Sequence, residues 1–318
     1  MNLGEIYELF YREGMRADPR RPREIQAKLR RSRAEYRKLS ASLKKFFDID
    51  RLSNPYADTR ILFGDRKIPV CRMLTGIDIE VGELLLAAHL SKEGPPIDAV
   101  LAHHPEGVAL AALDDVMDLQ TDLLVQQGIA VEVAKDLMSV RTKEVARRLH
   151  SANHTRAVDA AKLLNIPLLC CHTPADNHVV RYLERLIRMN VPQNIRDLID
   201  LLLREPEYQD AARNNAGPRI LIGQPKDKLG KILVDMTGGT EGSKEIFARL
   251  SQSGVNTLLG MHLSEDHFHK IKSEHLKVVI AGHMASDNLG MNLLLDKLEK
   301  KGKFEIIECS GFRRYKRG

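Results

Sequence analysis

"KVVIAGHMASDNLGMNLLLDKLEKKG", residues 277–302, carries the reading of the fold. A short β-branched run ends at Gly282. Helix-spaced apolar positions then continue to Gly302. A strand that hands over through a glycine to a helix is one unit of an alternating fold. The same order recurs outward from this stretch. "DAVLA" precedes His103, and "IPLLCC" precedes "HTPAD". "ILIG", "KILVDM" and "VNTLLGM" read as strands, with the helical "KEIFARLSQSG" among them. Alternation of this kind predicts an α/β fold with helices laid on mostly parallel sheets. "TRILFG" and "IPVCRML" are two further β-rich runs, expected to form a hairpin around "DRK".

At 318 residues, the chain is long enough for two domains of ordinary size. Residues 1–47 are expected to form a basic helical extension, broken at "ADPRRP" (17–22). Residues 48–213 would form one α/β half and 214–318 a second, divided at the Gly/Pro/Asn cluster "NNAGPR". With 43% apolar and 29% charged residues the composition is that of a soluble globular protein, and no apolar run is long enough to span a membrane. The N-terminus lacks the apolar core of a signal peptide, which points to the cytoplasm. The four cysteines (71, 170, 171, 309) show no C-x-x-C spacing and read as reduced thiols. The net charge of +6 is concentrated in residues 12–38, with eleven Lys/Arg against four Asp/Glu. A solvated Arg-rich helix is the expectation there, with nucleic-acid contact as the alternative. The absence of Trp and the few aromatic residues argue against a base-stacking platform.

Three apolar strands end in the same kind of polar cluster. They are followed by His103 and His104, by His172 and Asp176, and by His283 and Asp287. Ligands of open α/β sheets bind at the carboxyl ends of strands, so these clusters are expected to converge. Imidazole with carboxylate suits zinc, iron, manganese or nickel better than calcium. A carboxylate can bridge two cations, so these residues can hold a pair of divalent metal ions sharing a hydroxide nucleophile. "DMTGGTEGS" (235–243) is either an anion cradle or a tight strand–helix turn. His262 and Glu265 can approach the metals from the second half, but a solvated helix start is the simpler expectation.

"VLAHHPEG", "CCHTPAD" and "AGHMASDNLGMN" resemble the three signature segments of the NGG-interacting-factor-three-like family, whose members include GTP cyclohydrolase I type 2 homologues. The likeness spans roughly residues 58–309, with the segments in family order. It implies two similar α/β halves with a metal cleft between them, commonly assembled as a toroidal homohexamer. By that likeness His103 and His104 serve one metal each, and Asp176 and His283 complete the set. Asp287 stands where the family usually has a bridging Glu. His172 becomes a residue that orients Asp176 or the water, with a catalytic role. The implied activity is that of a di-metal hydrolase acting on a small molecule: a nucleotide-like compound, a cyclic amide or a phosphoester. A non-catalytic metal-binding scaffold is the alternative.

Overall fold

A computed structural model describes residues 1–317. The strands are β1 (Thr59–Phe63), β2 (Arg72–Gly76), β3 (Ala99–Ala102), β4 (Leu168–Cys171), β5 (Arg219–Ile222), β6 (Lys231–Asp235), β7 (Val255–Gly260), β8 (Lys277–Ile280) and β9 (Glu305–Glu308). They form two sheets, ordered β1-β4-β3-β2-β9 and β5-β8-β7-β6. The first four positions of both sheets follow one pattern. An antiparallel edge strand, β1 or β5, pairs with the last of three parallel strands, β4 or β8. The expected mixed α/β architecture with two similar halves is therefore present. β9 returns from the C-terminus to pair parallel with β2.

The helices preceding β5 are α1 (Leu3–Ala17), α2 (Pro22–Lys38), α3 (Ala41–Lys44), α4 (Val81–Glu93), α5 (Gly107–Ala111), α6 (Asp118–Gln126), α7 (Val131–His150), α8 (Arg156–Leu164), α9 (Thr173–Asn190), α10 (Ile195–Leu202) and α11 (Pro206–Arg213). After β6 come α12 (Ile246–Gln252), α13 (Glu265–Ser273) and α14 (His283–Glu299). β3 and β4 are fully buried along their length, as strands covered on both faces must be, which is why they read as unbroken apolar runs. On one face of the first sheet Leu84 and Ala87 of α4 and Ala157 and Ala161 of α8 pack on Val100 and Leu168. On the other, Leu3, Ile6 and Phe10 of α1 meet Leu101, Leu169 and, from α14, Leu294 and Leu295. The second sheet buries Val234, Leu259 and Val279 against Val179 and Leu183 of α9 and Leu289 of α14. Its far face packs on Phe247 of α12 and Ile271 of α13. Thus α9 and α14 lie side by side between the sheets. They touch closely at Gly290, where a Cβ would come within 2.6 Å of the Ala175 carbonyl oxygen. A side chain there would have to push the helices apart.

Two expectations change in detail. The N-terminal segment is helical and breaks where the prolines stand, but α1 belongs to the first core. Asn2 and Glu5 cap it reciprocally, Glu5 N–H donating to Asn2 Oδ1 at 2.8 Å and Asn2 N–H to Glu5 Oε2 at 2.9 Å. Leu3, Ile6 and Phe10 are essentially buried, and each such side chain contributes about 1.5–3 kcal/mol. The Arg-rich solvated face belongs to α2, whose buried residues are only Ile25, Leu29 and Ser32. The expected hairpin of "TRILFG" and "IPVCRML" does not form. The segment between β1 and β2 is held by the chain start instead: Leu3 N–H donates to Ile68 O (2.9 Å), Gly4 N–H to Arg66 O (2.8 Å) and Val70 N–H to Met1 O (2.8 Å). β2 then enters the sheet parallel to β3, away from β1. Among the described residues no helix is long and apolar enough to cross a membrane.

Candidate metal centre

The three polar clusters meet because β3, β4 and β8 all end at the interface of the two sheets. β3 stops at Ala102, and the next two backbone N–H groups are captured from the neighbouring strand end: His103 N–H donates to Gly76 O and His104 N–H to Ile77 O, both at 3.0 Å. This fixes both imidazoles at the strand tip. β4 passes into α9, whose first turn carries Asp176, and β8 passes through Gly282 (φ +111°) into α14, whose first turns carry His283 and Asp287.

Asp287 sits at the centre, 1% exposed. Its Oδ1 lies 3.5 Å from His103 Nε2, and its Oδ2 lies 3.5 Å from His104 Nε2 and 3.4 Å from His283 Nε2. Asp176 Oδ1 is 3.5 Å from His103 Nε2 on the other side. One carboxylate oxygen thus faces each of two donor groups. Although its side chain is one methylene shorter than the Glu the resemblance implies, Asp287 still comes within 3.4–3.5 Å of three imidazoles. His172 joins the cluster, its Nε2 3.8 Å from Asp176 Oδ2. All six residues singled out in the sequence are brought together. His103, His104 and His172, then His104, His283 and Asp287, and then His103, Asp176 and Asp287 form groups whose ligating atoms lie within 4.8 Å of one another.

Hydrogen bonds on the far ring atoms set the tautomers. His103 Nδ1–H donates to the Cys171 carbonyl (3.1 Å), His104 Nδ1–H to Asp78 (2.6 Å), and His172 Nδ1–H to Asp58 (2.9 Å). In its neutral form each ring therefore turns the lone pair of Nε2 toward the cluster, as histidine ligands oriented by an outer partner do. Asp58 and Asp78 are the functional residues that motif reading missed. They lie far upstream in "YADTR" and "TGIDIE", and only the fold brings them behind the imidazoles.

Charge and burial conflict in this cluster. Burial pushes Asp176 up to about 7, with His172 opposing and Asp287 adding to the rise. Burial also lowers His103, to about 4, against the pull of Asp287. Burial would raise Asp287, but His103, His104 and His283 outweigh it and hold its carboxyl far below the usual range. His172 is pushed up to about 9, because Asp176 and Asp58 overcome the cost of its burial. Meanwhile His103 Nε2, Asp176 Oδ1 and both oxygens of Asp287 are buried and accept or donate no hydrogen bond. Buried polar atoms are rarely left so, and four orphans in one cluster call for a common partner. Donors around a tetrahedral ion with bonds of about 2.1 Å lie about 3.4 Å apart. The separations here have that size, so the residues fit a metal ion.

The cluster opens on a cleft of about 80 Å³, walled on the other side by the 235–243 loop and by Glu241 and His262. Glu241 accepts from Ser264 N–H (2.7 Å) and lies 3.3 Å from His262 Nδ1. Burial would raise Glu241, but His262 and Ser264 pull it down to about 2. Glu265 lies apart, paired with His269 on the surface. Gly238 and Gly239 have φ of +98° and +91° and let the loop run close to Gln120 and Val116, where Cβ atoms would fall within 2.7 and 2.8 Å of those side chains. α12 starts only at Ile246, so no helix N-terminus backs these glycines and the turn reading holds over the anion cradle.

No family model and no curated relative matches the chain. Among solved structures, a NIF3 superfamily protein from Sphaerobacter thermophilus aligns with a TM-score of 0.73 and 30% identity, covering 82% of this chain and 93% of that one. The chain belongs to the NIF3 superfamily. Reduced HcgD from Methanocaldococcus jannaschii shares the fold at a TM-score of 0.52 and 14% identity, over 84% of this chain and 94% of its own. In this superfamily member, the family resemblance of the three segments and the convergence of their side chains coincide at one place, the α9–α14 helix starts.

Proposed function

We propose that this NIF3 superfamily member is a metal-dependent hydrolase with two divalent ions per chain. The observation that carries the reading is Asp287, a buried carboxylate with one unpartnered oxygen turned to each of two donor groups. His103 and Asp176 would hold one ion, His104 and His283 the other, with Asp287 shared. Zinc, iron, manganese and nickel all suit this donor set. When bound, paired ions of this kind lower the pKa of water and polarise the bond under attack.

The chain's own groups set the rest. Asp58 and Asp78 fix His172 and His104 in one tautomer. Glu241 holds His262 across the cleft, and His172 Nε2, beside Asp176, is placed to take or return a proton at the reacting centre. The narrow part of the cleft, about 80 Å³, admits the reacting end of a substrate at the cluster. A nucleotide-like, cyclic amide or phosphoester substrate would therefore leave most of its body outside that narrow part. Free thiols at Cys71, Cys170, Cys171 and Cys309 suit a reducing compartment such as the cytoplasm. A homohexamer is part of the same reading, by resemblance. The test is elemental analysis of untagged protein, followed by turnover of phosphoesters, cyclic amides and nucleotides by wild type and His104→Ala. Two ions per chain with activity lost in the variant supports the reading. Metal without any turnover would leave a scaffold.

A further inference from the structure

A second cleft, of about 300 Å³, lies where α1, α9 and α14 meet. It is walled by Glu13 and Arg16 of α1, by His178, Arg181 and Arg185 of α9, and by Lys297 of α14. Positions 178, 181 and 185 follow helical spacing, so one stripe of α9 lines the cleft. The single carboxylate, Glu13, is already paired with Arg16 at 2.5 Å. Arg181 donates to the Arg16 carbonyl, and Arg185 and Lys297 meet no carboxylate among the described residues. Three cations without a counter-charge thus surround one concavity. His178 adds an independent sign, because its Nε2 is buried and has no hydrogen-bond partner. On α14 Lys297 stands ten residues, about 15 Å, from Asp287, while on α9 His178 lies two residues past Asp176 but about 200° round the helix from it.

We propose that this cleft binds a phosphorylated small molecule through a di- or triphosphate-type group, at a site separate from the metal centre. Guanidinium forks match phosphate oxygens two at a time, and an ammonium adds a point charge beside them. The three unpaired cations converge from two helices, α9 and α14, on one pocket, and its volume is that of a small-ligand site. A nucleic-acid track would instead spread its charges along a groove.

Inorganic pyrophosphate is the probe, titrated calorimetrically into the full-length protein at fixed salt. Arg185→Gln and Lys297→Gln keep the side-chain stems in place, so the fold persists. Each is expected to weaken binding by about tenfold or more, the size of a lost charge-assisted hydrogen bond. Arg185→Glu/Lys297→Glu abolishes it, and His104→Ala, which alters the metal centre, leaves it unchanged. Wild-type affinity in the double variant overturns the proposal. So does loss of binding in His104→Ala alone, which would place the anion on the metal. A 12-nucleotide RNA that binds where pyrophosphate does not also overturns it, in favour of a nucleic-acid surface.

Discussion

Replacing Asp287 by Asn tests the metal reading most directly. The two side chains have the same shape, and the site is 1% exposed, so packing is preserved. What changes is one unit of charge and one acceptor oxygen. A unit charge pair at a bonding distance of about 2.1 Å and an effective dielectric constant of about 20 is worth about 8 kcal/mol. Water entering the cleft and the ligand oxygen the amide retains offset most of this, so we take about a third, roughly 2.5 kcal/mol or close to 10²-fold in affinity. The amide has a single acceptor oxygen and cannot face both donor groups, so stoichiometry should fall as well. The assay is metal content after exhaustive dialysis, with affinity from competition against a chromogenic chelator. Wild type is expected to retain two ions per chain and Asp287→Asn one at most, bound about 100-fold more weakly. Circular dichroism of both metal-free proteins checks the fold. Equal stoichiometry and equal affinity in the two proteins would refute the shared-carboxylate argument.

Asp78→Ala removes the outer partner of His104 (2.6 Å) and should weaken metal binding about 10–100-fold with little change in thermal midpoint, read by the same competition titration. Because Asp176 is held up to about 7 without metal, its proton competes with the cation. Metal affinity should therefore climb as pH rises from about 5.5 to about 7.5, with proton release per ion falling over that range, as calorimetry in buffers of different ionisation enthalpy would show. For the metal-free fold, Asp176 is raised from 3.8 to about 7 and His172 from 6.5 to about 9. Each contributes stability that is present below its unfolded value and lost as pH rises through its folded one. The chelator-treated midpoint should thus drop between about pH 4 and 9, through Asp176 over the lower part of that range and His172 above about 6.5, and the metal-loaded midpoint should not; a flat chelator-treated profile would contradict the assignment. Gly290→Ala forces a Cβ against Ala175 O, so it should cost about 1–3 kcal/mol in denaturant unfolding and also weaken metal binding by shifting α14 against α9. Asn177→Leu removes the buried bridge between Thr237 (2.7 Å), Tyr56 and Gly14 O, and should cost about 1–3 kcal/mol.

Much of this protein can be read along the chain. A strand needs a run of β-branched or apolar residues and a helix needs its spacing, and both are local properties. "VLAHHPEG", "CCHTPAD" and "AGHMASDNLGMN" therefore announced strand ends, helix starts and the six polar residues placed there. The sequence also set the Pro/Asp break after α1 and the basic face of α2. Tertiary structure decided what depends on distance. Leu3, Ile6 and Phe10 look like any amphipathic helix until the first sheet covers them, which makes α1 core. "TRILFG" and "IPVCRML" suit a hairpin by composition, but hydrogen bonds from Leu3 and Gly4 hold the link between them elsewhere. β9 pairs with β2 across more than 200 residues, which no local pattern encodes. Asp58 and Asp78 are ordinary loop carboxylates until folding sets them behind His172 and His104. Local sequence chooses each element's conformation, because that energy is settled within a few residues. Partners, burial and the meeting of charges are settled only when the two sheets close on α9 and α14.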